Sequence, residues 1–396
     1  MTQALHEAQR SQGKNRCRHV LSVVVASLLG GVLSTSLVQA NPVFNFSIGS
    51  GLTALQGSNP TLANTVIADF RTAGNRWSSI FSDNVTLNIA IDFKPLGAGI
   101  LGETSSNYAV TTYAATRTAL NVDKKTTDDS TAVKNLSASN TLSFLTNSSS
   151  GQVILENNGS ANNLYLAMPT ANAKALGLST PTATAQDASM TFSSAFNFDF
   201  NPTNGILAGQ YDFVGVVTHE IGHSLGFVSG VDDVDYYSGP RGPERLNLDP
   251  YAVLSPLDLF RYSAPGVLNL AYGGTPYFSI DRGVTHLGTF STGAFNGDGR
   301  QASHWKDNLG LGIMDPAWAP GELAKMTSLD IKALDVIGWD RIPDAHPVPL
   351  SFTSLSSSTG LPRHTIANPE PSTLGLLSLG LLGAAVYRRR TQRQRA

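Results

Sequence analysis

Apolar side chains recur along this chain at two spacings, and each spacing predicts a different kind of element. Between residues 59 and 82 they recur every three or four positions, which indicates a helix with one buried face. Residues 85–93 and 188–193 alternate between apolar and polar side chains, the pattern of a half-buried strand. This mixture predicts an α+β fold. Further helices are predicted at residues 108–120, 170–178 and 328–339, with a short one at 142–145.

Another helix is predicted to begin after Asp212 and to end at Gly226. Asp212 is a suitable N-cap, because its carboxylate can accept from the first free amides, and a glycine permits a sharp turn at the other end. At 100° per residue, four apolar residues fall within about 80° of one another, opposite His219 and His223. The helix should therefore have a core face and a polar face. The four apolar residues are Val214, Val217, Ile221 and Leu225.

The polar face of this helix contains the sequence His219-Glu220-Ile221-Gly222-His223. Residues four apart lie on one helical face, so both imidazoles can reach one metal ion while Glu220 reaches a water bound to it. This is the H-E-x-x-H arrangement of zinc peptidases. The five-residue pattern also occurs by chance, and the core face and the two helix boundaries strengthen the functional interpretation.

A catalytic zinc needs a third protein ligand and one open position for water. The shorter metzincin pattern would place a histidine at the position of Ser229, so this chain departs from it. Glu244 is a candidate, but glycine and proline residues at 239–243 break helices, and such a glutamate normally comes from a helix. His304 is the better candidate, because a tryptophan and then a methionine-containing segment, residues 312–316, follow it.

Together these motifs resemble the leishmanolysin-like branch of the metzincins. That branch carries H-E-x-x-H-x-x-G-F, a long insertion, a histidine in an S/T-H-W context and a methionine turn. The counterparts here, residues 219–227, His304 and Met314, lie within a segment from about residue 188 to 340. His286, the main rival for the third ligand, lacks this context, and we expect it to be a hydrogen-bonded loop histidine.

The resemblance implies a role for each residue of the site. Zinc polarises the substrate carbonyl and activates a water, whose proton the glutamate takes and passes to the leaving amine. The expected function is a secreted or cell-envelope zinc endopeptidase acting on a protein or peptide. The alternative is an inactive zincin-fold protein that binds a surface or biofilm matrix, and the intact glutamate argues against it. The implied zinc ligands are His219, His223 and His304, the general base is Glu220, and Met314 forms the apolar floor.

The resemblance also implies the architecture. A metzincin-like catalytic domain would span residues 41–341, with a twisted, mostly parallel sheet and helices in an upper part, 41–227, and an irregular lower part, 228–341. In zincins the strand at the position of residues 188–193 borders the cleft and pairs with an extended peptide. Three tyrosines are available to stabilise the oxyanion, and the sequence does not choose among them. They are Tyr262, Tyr272 and Tyr277.

Two acidic segments in the insertion raise the question of calcium. Carboxylates at residues 232–235 and 296–299 could hold a calcium ion. Neither segment contains a complete calcium-loop motif, and solvated acidic loops are commoner. Calcium therefore stays a secondary expectation beside zinc.

The N-terminal 40 residues have the pattern of a cleaved export signal. A basic region precedes a mostly apolar stretch, residues 20–33, and small residues at 38–40 offer a cleavage site. Cys17 is the only cysteine and lies inside this segment, so the mature chain would contain no disulfide.

The C-terminal segment, residues 369–396, resembles a PEP-CTERM sorting signal. A Pro-Glu-Pro motif precedes an apolar stretch, residues 374–387, and an arginine cluster, after a linker at 342–368 that is rich in Pro, Ser and Thr. The resemblance implies an exosortase-type partner and a Gram-negative cell-envelope or extracellular destination. It also implies transient inner-membrane contact through the C-terminal helix. The sixteen residues from Ser372 to Tyr387 would span roughly 24 Å as a helix, which is thin for a permanent anchor.

The formal net charge of −2 hides an asymmetry, because both ends of the chain are basic. Between residues 41 and 387, 28 acidic side chains face 18 basic ones. Such a surface repels phosphate backbones, so we expect no nucleic-acid partner.

Overall fold

The computed structural model describes residues 40–343 except 179, 181 and 183, together with residue 345 and the backbone of residues 366–367. The predicted export signal, the sorting segment and nearly all of the linker lie outside the described residues. The helices are α1 (Ser50–Ser58), α2 (Pro60–Ser78), α3 (Tyr113–Asp123), α4 (Thr127–Asn135), α5 (Ala161–Leu164), α6 (Thr170–Ala175), α7 (Phe213–Leu225), α8 (Val231–Ser238) and α9 (Ser328–Asp335).

The strands, in chain order, are β1 (Val43–Ile48), β2 (Thr86–Lys94), β3 (Gly102–Ser106), β4 (Tyr108–Thr112), β5 (Phe144–Asn147), β6 (Val153–Glu156), β7 (Tyr165–Pro169), β8 (Ala188–Ser193), β9 (Phe198–Asp199), β10 (Tyr211–Asp212), β11 (Arg261–Ala264), β12 (Val267–Leu268), β13 (Tyr277–Phe278), β14 (Gly288–Thr289), β15 (Ala317–Trp318) and β16 (Ile366–Ala367). They confirm a mixed α+β architecture.

The upper sheet has the strand order β1-β2-β8-β3. Its first three strands run parallel, and β3 pairs antiparallel with β8, so the expectation of a mostly parallel sheet is confirmed. The expectation that β8 borders the cleft is wrong, because β3 covers its outer edge. The buried positions of β3 are Gly102, Thr104 and Ser106, which give no apolar alternation. The sequence pattern therefore could not reveal this strand.

Local patterns predicted most helices correctly and failed where the segment pairs with another strand instead. Asn59 caps α2 by accepting from the Leu62 amide at 3.1 Å, close to the predicted start. The predicted helix at 108–120 is wrong in its first five residues, which form β4 and pair with β7. The short helix expected at 142–145 is also wrong, because that segment enters β5, which pairs with β6. In both cases pairing partners along the chain override the local helical spacing.

One continuous apolar cluster contains side chains from both the predicted upper part and the predicted lower part. Helix α7 lies inside it and is buried on every side, which differs from the two-faced helix that the sequence predicted. Two buried indoles bond to its backbone. Trp77 on α2 donates to the Thr218 carbonyl at 3.0 Å, and Trp339 donates to the Leu225 carbonyl at 2.7 Å. These bonds satisfy polar groups that burial would otherwise leave without partners.

A buried carboxyl pair beside the end of the described domain predicts a pH-dependent stability. Asp83 is 4% exposed and accepts from the Asp340 amide at 2.9 Å. Burial and the Asp340 charge raise the pKa of Asp83 to about 8. The folded chain therefore holds a proton there that the unfolded chain releases near pH 4, so stability falls as the pH rises toward 8.

We expect Asp83→Asn to make the stability less dependent on pH. Asparagine mimics the protonated acid, so between about pH 6.5 and 8 the free energy of unfolding should fall less steeply in the variant than in the wild-type protein. The difference in slope should be about 1 kcal/mol per pH unit. Urea unfolding at several pH values measures the slope. Asp128→Asn, which removes a carboxylate from a more exposed pair with Lys332, is the control. Equal slopes for the wild-type protein and Asp83→Asn would contradict the prediction.

Candidate metal centre

Helix α7 has the boundaries that the sequence predicts. The Gly215 amide donates to the Asp212 carboxylate at 2.8 Å, which caps the first turn. Gly226 ends the helix at φ 122°, a backbone conformation that residues other than glycine rarely adopt. Between these ends, His219 and His223 lie one turn apart on one face.

The third predicted histidine comes from a distant segment and meets the other two. The Nε2 atom of His223 lies 2.9 Å from that of His219 and 3.2 Å from that of His304. The remaining pair, His219 and His304, is 3.3 Å apart. Among the described residues, these three form the only group of three or more His, Cys, Asp or Glu side chains whose ligand atoms all lie within 4.8 Å of one another.

The other two candidates for a third ligand lie elsewhere. His286 is exposed, stacks on Tyr277 and contacts the Thr289 hydroxyl at 3.0 Å, as expected for a hydrogen-bonded loop histidine. Glu244 lies in an exposed loop and does not join the histidine group.

Backbone carbonyls set the tautomer of each clustered histidine. The Nδ1 atoms lie 2.8 Å from the Ile313 carbonyl for His219, 2.7 Å from the Phe227 carbonyl for His223 and 3.2 Å from the Gln301 carbonyl for His304. A carbonyl only accepts, so each Nδ1 carries the proton and each Nε2 keeps its lone pair. The three lone pairs then point at one another.

Burial also keeps these imidazoles neutral. It lowers the pKa of His223 to about 4, with the bond to Phe227 acting in the opposite direction. Burial lowers the pKa of His219 well below its usual value, and the His223 ring adds to this effect. The pKa of His304 falls for the same reasons, through burial and both neighbouring rings. All three rings are thus ready to act as metal ligands without first losing a proton.

The donor set fits zinc. Three neutral imidazoles are a known catalytic zinc set, and Zn–N bonds of about 2.0–2.1 Å in a tetrahedral site put the nitrogens about 3.3 Å apart. The observed separations of 2.9, 3.2 and 3.3 Å agree with this arrangement. A shared cation would also relieve the repulsion among the three lone pairs.

Glu220 follows His219 on α7, and its carboxyl group is buried. The side chain is fully buried, and neither carboxyl oxygen has a hydrogen-bond partner among the described residues. Burial raises the pKa of Glu220 to about 8; the nearby Thr104 hydroxyl lowers it, and the Glu103 charge raises it. A buried carboxyl group without partners is costly, so its presence indicates a functional site.

Three further side chains shape the site. Met314 is buried against Gly222, where an added Cβ would lie 2.5 Å from its sulfur, so the methionine packs on the helix between the two histidines. Trp318 on β15 packs edge-on against His219 at 4.9 Å between ring centroids. The Thr104 hydroxyl on β3 donates to the Glu220 carbonyl at 3.3 Å. Sequence reasoning missed Trp318 and Thr104, because no motif includes them.

Two of the three tyrosines proposed for the oxyanion bond elsewhere. Tyr272 donates to the Gly151 carbonyl at 3.3 Å, and Tyr277 donates to the Gly283 carbonyl at 2.7 Å. Tyr262 lies on β11 in the sheet of the lower part. None of these contacts involves the histidine cluster.

The acidic residues considered for calcium bond mainly to the protein itself. Asp232 accepts from the Ala302 amide at 2.6 Å, and Asp235 accepts from the Phe295 amide at 2.7 Å. Asp298 pairs with Lys306 at 2.6 Å. These contacts hold loops of the insertion in place.

The comparisons with known proteins bear on the C-terminus alone. Residues 369–390 match the model of the PEP-CTERM protein-sorting motif. The chain carries a PEP-CTERM sorting signal. This signal is recognised by exosortase and indicates export to a Gram-negative type of cell envelope. No curated protein and no solved structure matches the chain.

The PEP-CTERM protein shows no membrane span in the part that the structure describes, since no helix there is long and apolar enough to cross a bilayer. The apolar stretch predicted to contact the inner membrane, residues 374–387, lies outside the described residues.

Proposed function

We propose that this exported protein is a zinc-dependent endopeptidase related to the metzincins. One observation carries the proposal: three Nε2 lone pairs converge within 3.3 Å, and Glu220, next to His219 in the chain, has a buried carboxyl group with no hydrogen-bond partner among the described residues. The resemblance to leishmanolysin-like enzymes belongs to this proposal. The mostly parallel upper sheet supports it, and so does the packing of Met314 against Gly222 of α7.

Each residue has a defined task in this proposal. His219, His223 and His304 hold the metal through Nε2, and bound zinc supplies a Lewis acid that polarises the scissile carbonyl and acidifies water. Glu220 accepts the proton of the attacking water and then delivers it to the leaving amine.

The upper sheet offers a place for an extended substrate. Strand β3 is the last strand in the order of that sheet, and its Thr104 contacts the helix backbone at Glu220. A peptide that adds to β3 would continue the sheet and run past the histidine cluster. Backbone pairing of this kind binds many sequences, and the neighbouring side-chain pockets set the preference.

A second candidate function has an observation in its favour. The three histidines and Glu220 are all 0% exposed, so a substrate reaches them only after neighbouring segments move. Such burial suits a zincin-fold protein that binds zinc for structure and acts by binding a surface or biofilm matrix.

Zinc analysis combined with peptide cleavage separates the two functions. We expect the full chain to bind one zinc ion and to cleave a peptide library, and we expect a chelator to abolish cleavage and added zinc to restore it. One bound zinc without any cleavage would favour the binding protein. Absence of zinc binding would refute both proposals.

A further inference from the structure

His304 reaches the metal centre without help from regular secondary structure. It lies in the loop region between β14 and β15, 81 residues beyond His223. The pair on α7 is placed by helical geometry, but the position of the third ring depends on whatever holds its loop. A ligand displaced by about 1 Å binds metal poorly, so these contacts matter for the site.

One buried carboxylate holds the residues just before His304. Asp232, in the first turn of α8, is 5% exposed and accepts from the Ala302 amide at 2.6 Å and the Ser303 amide at 3.2 Å. It also accepts from the Ser303 hydroxyl, whose oxygen in turn accepts from the Ser229 amide at 2.9 Å. The segment before His304 is thus fastened to the chain that leaves α7.

A second buried carboxylate holds the residue just after His304. Asp330 on α9 accepts from the Trp305 indole at 2.8 Å. It also accepts from the Ile313 amide at 2.9 Å and the Met314 amide at 3.3 Å. The Ile313 carbonyl accepts from His219, so Asp330 supports two ligands. Gly312 makes room for it, because an added Cβ there would overlap the carboxylate.

We propose that Asp232 and Asp330 form a carboxylate clamp that positions His304 for zinc. The clamp rests on the proposed function, since it presumes that the three histidines hold the metal. Both acids are positioning residues, and neither is one of the proposed ligands. Each partner named above is an N–H or O–H donor, so only a carboxylate can accept from them all. An asparagine in place of either acid would put its NH₂ group, which is itself a donor, against one of these donors.

Zinc affinity of the full chain, measured by competition with a chelating dye, tests the clamp. Loss of partners behind a metal ligand typically costs about 10–100-fold in affinity, and we expect Asp232→Asn and Asp330→Asn each to fall in this range. The cobalt-loaded variants should also show a changed visible absorption spectrum, because the ligand geometry relaxes. Thermal unfolding of each apoprotein reports how much stability is lost.

The chain offers a matched control on each helix. Asp235 on α8 accepts from the Phe295 amide at 2.7 Å and the Asn296 amide at 2.8 Å. Asp335 on α9 accepts from the Thr126 hydroxyl at 2.8 Å. Both are 1% exposed, as deeply buried as the clamp acids, yet the partners just named are not among residues 302–305, which flank and include His304. Asp235→Asn and Asp335→Asn should lose stability and keep wild-type zinc affinity.

A double-mutant cycle removes the remaining ambiguity. Asp232 holds residues 302 and 303 and therefore acts through His304, so Asp232→Asn should cause no further loss of affinity in a His304→Ala background. If Asp232→Asn lowers zinc affinity as much in the His304→Ala background as in the wild-type protein, the clamp is overturned. Clamp variants that bind zinc within twofold of wild type, or controls that lose as much affinity as the clamp variants, would also overturn it.

The same measurements distinguish the clamp from the peptidase proposal. A wild-type chain that binds zinc but cleaves no peptide refutes the peptidase, while the affinities of the variants still decide the clamp. A wild-type chain without zinc affinity overturns both.

Discussion

Glu220→Gln should lower the rate of peptide hydrolysis by about 10²–10⁴-fold, the usual contribution of a positioned general acid–base, and should leave the zinc content unchanged. Glutamine keeps the size of the side chain but can neither take the water's proton nor return one to the amine. The proposed metal ligands are the three imidazoles, so the substitution removes none of them. Cleavage of a fluorogenic peptide and metal analysis of the same sample measure both results.

The variant should fold as well as the wild-type protein. Glutamine has nearly the same shape as glutamate, and the Glu220 carboxyl oxygens have no hydrogen-bond partner among the described residues that the substitution could break. Glu244→Gln is the control, since Glu244 lies in an exposed loop and does not join the histidine group. A Glu220→Gln protein that keeps more than a tenth of the activity would show that another group is the base.

His304→Ala should weaken zinc binding by more than about 100-fold, because losing even a partner behind a ligand costs 10–100-fold. The substitution removes one of the three Nε2 donors and leaves only the pair on α7. Competition with a chelator of known affinity measures the loss. Activity should vanish at zinc concentrations that saturate the wild-type protein.

Two substitutions serve as controls for the third ligand. His286→Ala removes an exposed histidine that contacts Thr289, and Glu244→Ala removes the rival carboxylate in an exposed loop. Both should bind zinc as the wild-type protein does. Zinc loss in Glu244→Ala with retention in His304→Ala would reverse the assignment of the ligand.

Local sequence rules worked best for the helix of the site. The cap at Asp212 and the glycine at 226 are short-range features, and both appear in the structure, whereas the face predicted to be polar is buried like the rest of the helix. The edge strand β3 was beyond such rules, since Gly102, Thr104 and Ser106 fill its buried positions. The chain at residues 108–112 was misassigned for the related reason that its partner, β7, lies more than 50 residues away.

In the candidate site, too, local motifs revealed some residues and only the structure revealed the others. The motifs picked out the three histidines and Glu220, and the resemblance of one loop to a known pattern was needed to choose His304. Trp318, Thr104 and the two clamp acids had no such signal. Asp232 was considered only as a calcium ligand, while in the structure it accepts from the Ala302 amide beside the third histidine.

By itself, the sequence determined the spacing of His219 and His223, the ends of their helix and the sorting signal at residues 369–390, because these depend on residues close together in the chain. Only the tertiary structure decided that His304 meets that pair, that Glu220 is buried without a partner among the described residues, and that β3 covers β8. These features depend on contacts between segments far apart in the chain. Such contacts form because the whole core buries apolar surface together, and no local pattern records them.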